Sequence, residues 1–325
     1  MNSGRDPFEI LRSDAHTTEP TSAQTERARA RLERAINAQR IPSAASGSRR
    51  ARRVLVAAAV AAALIVVAIP LLNTSTAQAA LTEVAQAARQ ATALDIPEGN
   101  YIKVTSERTD LGARPGEEFG LEGEFVAYLL PTTREVWRQP AERFFSIRTT
   151  VGQPVFIDPQ TESAYYTAGL DEDDRVGETY IEQFTDVADP IIETDWPTDP
   201  INLRQSMEAF IGDNRGTTAT DADLFILASN ILREANPPPE LRGAVIEVLA
   251  QLPVTLERPT ADSFALSITD RDRELAMTLT SKGNLIAETI TLLEPDSVLG
   301  IPAGTVLTNV TYQPTSVVNT LPSDS

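Results

Sequence analysis

The feature that most constrains this chain is an apolar run over residues 54–72, VLVAAAVAAALIVVAIPLL, which holds no charged or strongly polar residue. As an α-helix these nineteen residues extend for roughly 28 Å, close to the roughly 30 Å hydrocarbon core of a bilayer. Eleven of the side chains are Val, Leu or Ile, and each favours insertion near the centre of a span by about 0.3 to 0.6 kcal/mol. The run therefore predicts a single transmembrane helix.

Four arginines directly before the run predict its orientation: Arg49, Arg50, Arg52 and Arg53. Basic residues beside a span stay on the cytoplasmic side, so we expect a cell-membrane protein with a cytoplasmic N-terminus and an extracytoplasmic C-terminal domain. Two alternatives remain open. Residues 77–79, Ala-Gln-Ala, have the small-x-small form of an export-signal cleavage site, and the paired arginines also fit a twin-arginine export signal.

Charge is divided between the two sides of this run. Residues 1–53 carry eleven basic and six acidic residues, whereas residues 73–325 carry seventeen basic and forty acidic residues. A basic segment is attracted to anionic lipid, and a strongly acidic domain is repelled by nucleic acid. The charge pattern thus predicts the membrane as a partner and no direct contact with nucleic acid.

The basic stub, residues 1–53, contains one predicted helix, because residues 26–40 are rich in Ala, Arg and Glu. At helical spacing, Leu32, Ala35 and Ile36 fall on one narrow apolar face. This face is too small to fold alone. Either the helix is solvated and has no partner, or it is a partner-binding helix that becomes ordered on docking.

Residues 73–325 are predicted to form one extracytoplasmic α+β domain. Helical spacing over residues 77–93 is followed by period-two alternation over residues 100–193, by capped helical segments over residues 199–252, and by renewed alternation over residues 254–312. The predicted fold class is therefore α+β, with a single transmembrane helix followed by a curved antiparallel sheet and an inserted helical block.

Two groups of side chains in the predicted strands are candidate ligand contacts. Either the large apolar residues of the first group line a cavity for an acyl chain, or they form an ordinary packed core. Likewise, either the arginines of the second group bind an acidic head group, or they pair with surface carboxylates. The apolar group is Phe125, Trp137, Phe145, Phe264 and Leu266, and the arginines are Arg134, Arg138 and Arg143.

The residue inventory excludes several classes of site. The chain has no cysteine, and its one histidine is His16 in the basic stub. A disulfide framework, a thiolate zinc site, a cysteine nucleophile and a Ser-His-Asp triad in the C-terminal domain are therefore excluded. The acidic run at residues 171–174 lacks the alternating ligands and glycine of a calcium loop. We predict a non-catalytic protein with no cofactor and no metal.

Several longer segments carry a family resemblance, among them TERARARLERAI, REVWRQPAERFFSIRT, WPTDPINLRQSMEAFIG, LFILASNILREANPPPELRGAVIEVLAQLPVTLE and TNVTYQPTSVV. With these and the apolar run, the chain resembles a family of actinobacterial single-pass membrane proteins encoded beside extracytoplasmic-function sigma factors. The C-terminal domain resembles LolA- and LppX-type half-barrels, in which helices cover the concave face of an antiparallel sheet. Zinc-containing anti-sigma domains use His and Cys, so the absence of Cys implies a stub that binds without metal.

Two hypotheses about function follow. In the first, the chain is a membrane-anchored, non-catalytic sensor or regulator that is anti-sigma-like and holds a sigma factor through Leu32, Ala35 and Ile36. In the second, it is a membrane-anchored carrier of lipid or lipoprotein, and the stub only sets the topology. A large apolar cavity in the C-terminal domain would distinguish the carrier from the sensor.

Overall fold

The computed structural model describes residues 74–115, 125–139, 144–157, 160–185, 191, 194–234 and 237–322. The predicted transmembrane run at residues 54–72 lies outside these residues. So do the rest of the N-terminal predictions, namely the basic stub, the arginines Arg49, Arg50, Arg52 and Arg53, and the partner face of Leu32, Ala35 and Ile36.

The described residues form helices and strands in a mixed order. The helices are α1 (Thr74–Arg89), α2 (Gln160–Thr167), α3 (Leu170–Asp173), α4 (Pro200–Arg215), α5 (Asp221–Glu234) and α6 (Pro239–Leu249). The strands are β1 (Tyr101–Pro115), β2 (Phe125–Gln139), β3 (Phe144–Val151), β4 (Val155–Phe156), β5 (Thr179–Thr185), β6 (Thr255–Thr260), β7 (Ser263–Asp270), β8 (Arg273–Thr280), β9 (Leu285–Leu292), β10 (Val306–Tyr312) and β11 (Ser316–Val318).

All of these strands belong to one antiparallel sheet, with the order β5-β3-β2-β1-β10-β9-β8-β7-β6. The short strands β4 and β11 pair with β2 and β1 respectively. Strands β1 and β10 join the N-terminal and C-terminal halves of the sheet. The chain leaves the sheet at one edge, β5, and returns at the other, β6, and helices α4 to α6 lie between these two strands in the sequence.

Local signals explain where the helices of this block begin and end. The carboxylate of Asp199 accepts a hydrogen bond from the Asn202 backbone N–H at 3.0 Å, and Pro200 occupies the first turn of α4. Gly216, with a φ of 66°, ends the helix in the left-handed conformation that glycine adopts at low cost. Before α5, Thr220 and Asp223 bond reciprocally to each other's backbone N–H in a capping box.

The main core lies between these helices, α1 and strands β6 to β9. Burying each large aliphatic side chain favours folding by about 1.5 to 3 kcal/mol, so this cluster supplies most of the apolar stabilisation of the described residues. Its fully buried members include Leu81, Leu203, Met207, Leu224, Ile231, Ile246, Leu249, Leu256, Leu266 and Met277. A smaller cluster packs Val126 and Tyr128 of β2 against Tyr165 and Leu170 of α2 and α3.

The predicted fold class needs correction. In the described part of the chain one large antiparallel sheet dominates and strand exceeds helix. No helix of that part is both long enough and apolar enough to cross a bilayer, and residues 54–72, for which the single transmembrane helix was predicted, lie outside it. Helix α1 is amphipathic, because it buries only the stripe that contains Leu81, Val84 and Ala88, while Glu83 on another face is exposed.

The predicted run of strands over residues 100–193 is also interrupted, because α2 and α3 lie between β4 and β5. Their sequence shows little helical periodicity. Tyr165 is fully buried, while its neighbour Tyr166 remains 41% exposed, so only one of the two adjacent aromatic residues contributes to the core. Packing against β2, rather than an apolar stripe, stabilises these two helices.

Candidate functional site

The helix-packed face of the sheet can be followed from strand to strand through directly paired residues. Leu266 of the main core pairs with Met277, which pairs with Glu288. Glu288 pairs with Val310, which pairs with Arg108. Because directly opposed residues in an antiparallel sheet project from the same face, Glu288 and Arg108 lie on the face that carries the core.

On this face a small pocket opens where β1, β2, β10 and α5 meet. We call it the arginine pocket. It has about 30 Å³ of free space, which accommodates about two water molecules. Among the described residues its lining contains four arginines and no carboxylate, and consists of Val104, Ser106, Arg108, Arg134, Val136, Arg138, Arg233, Val310 and Tyr312.

The strand period explains how the sheet residues reach this pocket. Arg134 and Arg138 are an even number of positions apart on β2, so both project from the same face. Ser106 of β1 pairs with Arg134 on one side and with Tyr312 of β10 on the other. The two hydroxyl groups and the guanidinium group therefore form a row across three neighbouring strands.

Helix α5 adds the fourth arginine. Arg233 Nη2 donates to Asn230 Oδ1 at 2.8 Å, and Arg233 Nη1 lies 3.6 Å from Glu288 Oε2. Glu288 also accepts hydrogen bonds from the hydroxyl groups of Ser229 and Tyr312. A single carboxylate thus connects α5 to two strands of the sheet beside the pocket.

The groups around the pocket have defined charges. Burial, followed by the charge of Glu288, raises the pKa of Tyr312 well above its ordinary value, so this hydroxyl stays a hydrogen-bond donor at neutral pH. Arg108 donates to Asp110, and Arg134 and Arg138 also have partners in the protein. An anion that enters the pocket would add to these contacts or exchange with them.

The chemistry of this lining favours oxyanions. Arginine presents planar, paired N–H donors that match carboxylate and phosphate oxygens, and it keeps its charge at all physiological pH values. The chain as a whole has a formal net charge of −18. The four guanidinium groups around this small space, with no carboxylate in the described lining, therefore form a local cluster of positive groups in a chain whose net charge is negative.

The arginine prediction can now be compared with this geometry. Arg134 and Arg138 lie in the same pocket, whereas Arg143 lies outside the described residues. The sequence pattern did not indicate Arg108 or Arg233, because their contact with β2 depends on the pairing of β1 with β2 and on the packing of α5. The one signal in the sequence that could have indicated Arg108 is its position on β1, an even number of residues along the strand from the other residues that face inward.

Trp137, one of the five residues predicted to line an apolar cavity or to form a packed core, projects from the face of the sheet opposite to the helix-packed face. It pairs with Lys103 and Ser146, and the cationic groups of Lys103 and Arg148 lie 5.0 Å and 5.5 Å from its ring centroid. Both cations bind Glu135. Burial raises the pKa of this carboxyl group, but the two hydrogen-bonded cations outweigh burial and hold the pKa below its ordinary range.

The other four residues of the predicted cavity also lie apart. Phe145 stacks on Phe184 with ring centroids 4.6 Å apart. Phe264 and Leu266 are buried in the main core, about 29 Å along the sheet from β3. Phe125 is at the end of β2 opposite to the tryptophan, about 40 Å away along the strand. These side chains pack locally and do not line one shared cavity.

A second, larger pocket of about 350 Å³ lies between the start of α5 and strands β6 to β8. Most of its lining is polar, in contrast to the apolar lining that an acyl chain requires. Its lining residues are Thr220, Asp221, Ala222, Pro253, Thr255, Ser267, Ile268, Thr269, Asp270 and Glu274.

The acidic run at residues 171–174 contributes to packing. The carboxylate of Asp174 accepts hydrogen bonds from the Tyr128 hydroxyl at 2.6 Å and from the Tyr165 hydroxyl at 3.0 Å, and Arg114 lies 3.7 Å away. Burial, together with this carboxylate, raises the pKa of both tyrosines. In the described ranges, no group of three or more His, Cys, Asp or Glu side chains could hold a metal ion.

Comparison with known proteins adds no homologue to this geometry. A scan against protein-family models finds no match to the chain, and a search of curated proteins finds none either. The resemblance to sigma-factor-associated membrane proteins therefore stays a prediction. Function is inferred below from the chemistry of the arginine pocket, because a fold by itself does not imply an activity.

Proposed function

We propose that this chain is a non-catalytic sensor or regulator whose C-terminal region binds an acidic small molecule in the arginine pocket. The observation that carries the proposal is the convergence of four guanidinium groups from β1, β2 and α5 on one small space. Asp110 and Glu288 balance part of this charge within the protein. An oxyanion would use the paired donors of each arginine in addition to these contacts or in exchange for them.

The position of the pocket supports sensing. A ligand there contacts strands from both halves of the sheet and, through Arg233, also contacts helix α5. Because Arg233 is shared with Glu288, an anion changes the balance of contacts that hold α5 to β9 and β10. Differential contact of this kind is what allows a ligand to shift a conformational equilibrium.

The alternative, a carrier of lipid or lipoprotein, has less support. Enclosing an acyl chain requires a large apolar cavity. The arginine pocket holds about 30 Å³ of free space, and the larger pocket beside α5 is mainly polar. The arginines could bind the acidic head group of a lipid as well as an acidic small molecule. The carrier hypothesis differs from the sensor hypothesis because it also requires a cavity for the acyl chain.

We expect replacement of Arg134 and Arg138 by glutamine to weaken oxyanion binding by at least about 100-fold, because charged hydrogen bonds of about 1.5 to 3 kcal/mol are lost at each position. Isothermal titration of the purified full-length chain with inorganic phosphate and with phenyl sulfate measures the effect. Arg258→Gln is the matched control, since this exposed arginine lies on the edge strand β6. Equal affinities for the double variant and the control would contradict the proposal.

We further propose that the output partner is a sigma factor bound by the predicted face of Leu32, Ala35 and Ile36. A photo-crosslinking residue at position 35 should capture this partner in living cells. Leu32→Asp combined with Ile36→Asp should lower capture by at least about tenfold, because each change places a charge in an apolar contact. Ala30→Asp, on the opposite side of the predicted helix, is the control. If the chain that carries the crosslinking residue at position 35 and no aspartate substitution captures no sigma factor, this part of the proposal is refuted.

A further inference from the structure

We infer that the arginine pocket is selective for a dianionic phosphate group carried on a phosphate monoester, in preference to a carboxylate, a sulfate ester or a phosphodiester. This inference rests on the proposed function, because it specifies the ligand of the same pocket. It is carried by three observations, which are the number of donors, the charges around the pocket and the size of the free space.

The first observation is the set of donors. The lining supplies the guanidinium groups of Arg108, Arg134, Arg138 and Arg233, and the hydroxyl groups of Ser106 and Tyr312. A carboxylate offers two acceptor oxygens, whereas a phosphate monoester offers three terminal oxygens that are strong acceptors. Arginines that approach from β1, β2 and α5 surround a tetrahedral group more completely than they surround a planar one.

The second observation concerns charge. Arginine side chains are positively charged in proteins, and Tyr312, whose pKa is raised by burial, stays neutral. Attraction to a fixed set of cations grows with the charge of the ligand, and a phosphate monoester carries about −1.5 to −2 at pH 7. A sulfate ester has the same shape and one charge, so it isolates the effect of the second charge.

Among the residues that the structure describes, three carboxylates face this side of the sheet near the pocket. Asp110 accepts from Arg108, and Glu288 accepts from Tyr312 and lies beside Arg233. Glu182 on β5 faces the same side, because it belongs to the row of directly paired residues that includes Val136. The distance between Glu182 and Val136 across the strands is about 10 Å. Asp110 and Glu288 therefore already contact Arg108 and Arg233. An anion that enters the pocket competes with these two carboxylates for the same arginines.

The third observation is the size of the pocket. About 30 Å³ of free space suits the replacement of about two water molecules by one terminal group. The organic part of a monoester would extend out of the pocket through its open side. A phosphodiester carries substituents on two oxygens and only one charge, so it fits the pocket less well. The same phosphate chemistry occurs on soluble metabolites and on the head group of phosphatidate, and the pocket recognises the group that they share.

The test is isothermal titration of the full-length chain with phenyl phosphate and phenyl sulfate between pH 5 and pH 8. We expect phenyl phosphate to bind at least about tenfold more tightly than phenyl sulfate at pH 7.5. Lowering the pH to 5 should weaken phenyl phosphate binding by about tenfold, because its second pKa is near 6, while phenyl sulfate binding stays constant. Glycerol 3-phosphate and dihexanoyl phosphatidate, compared in the same assay, distinguish a soluble source from a lipid source.

The outcomes separate this inference from the proposed function. Equal binding of phosphate and sulfate esters, both lost in the Arg134→Gln and Arg138→Gln variant, would overturn the inference and leave the proposed function standing. Binding of neither ester, or binding that the variant does not change, would overturn both. Arg134→Lys with Arg138→Lys is a second variant that keeps the charges, and we expect about a fivefold loss because lysine cannot bind an oxyanion with a planar pair of donors.

Discussion

Between about pH 10 and pH 12 the free energy of unfolding should fall by about 4 kcal/mol per pH unit. The cause is a set of three tyrosines, Tyr128, Tyr165 and Tyr312, whose pKa values are raised first by burial and then by neighbouring carboxylates. In the unfolded chain each phenol ionises near pH 10. Because the folded pKa values are higher, the stabilising contribution is complete below about pH 10 and is lost as the pH rises towards those folded values.

The size of this effect follows from linkage. Each phenol that is protonated in the folded state and ionised in the unfolded state contributes about 1.4 kcal/mol per pH unit. Three such groups remove most of a typical domain stability of about 5 to 15 kcal/mol within a few pH units. The hydroxyls of Tyr128 and Tyr165 donate to Asp174, so ionising either one would place two negative charges in contact.

Urea unfolding at a series of pH values, followed by circular dichroism, measures this slope. Tyr165→Phe should lower the alkaline slope by about 1.4 kcal/mol per pH unit, although it also costs stability at neutral pH by removing a hydrogen bond. Tyr166→Phe is the control, because that neighbour is 41% exposed whereas Tyr165 is fully buried. If both variants keep the slope of the unmodified chain, the buried phenols do not control alkaline unfolding.

Signals that depend on neighbouring residues could be read from the sequence. The start of α4 was predictable because Asp199 and Pro200 are adjacent and their roles at a helix N-terminus are local. The helical stripe of α1, with Leu81 and Val84, and the alternation of Phe264 and Leu266 in β7 are also local patterns. Each of these residues is buried, as the pattern indicates.

Signals that depend on distant pairing could not be read. Val136 and Trp137 are adjacent on β2 and both are buried, so alternation alone could not tell which face of the strand carries the helices. Tyr128 and Asp174 meet only because α2 and α3 pack on β2. The arginine pocket likewise requires β1 to pair with β10, a contact between segments about 200 residues apart, and no local period encodes such a pairing.

Replacement of Gly243 by valine should lower the free energy of unfolding by about 3 kcal/mol, because this glycine of α6 packs directly against α1. A Cβ atom built there would be 2.4 Å from Arg89 Cγ and 2.9 Å from the backbone oxygen of Ala85. Forcing larger side chains into a packed contact typically costs about 1 to 3 kcal/mol, and the clash with backbone places this change at the upper end. Separation of α1 from α6 would also weaken the bond between Arg89 and Glu247.

The control for this prediction is another helical glycine in the same chain. Gly212 in α4 has the Thr217 backbone oxygen as its nearest neighbour, 3.8 Å from a built Cβ, so a methyl group fits without displacement. Gly212→Ala should therefore raise stability by up to about 1 kcal/mol, since alanine favours a helix more than glycine does. Urea midpoints should move in opposite directions for Gly243→Val and Gly212→Ala. A midpoint for Gly243→Val equal to that of the unmodified chain would mean that α1 and α6 are not packed at this distance in solution.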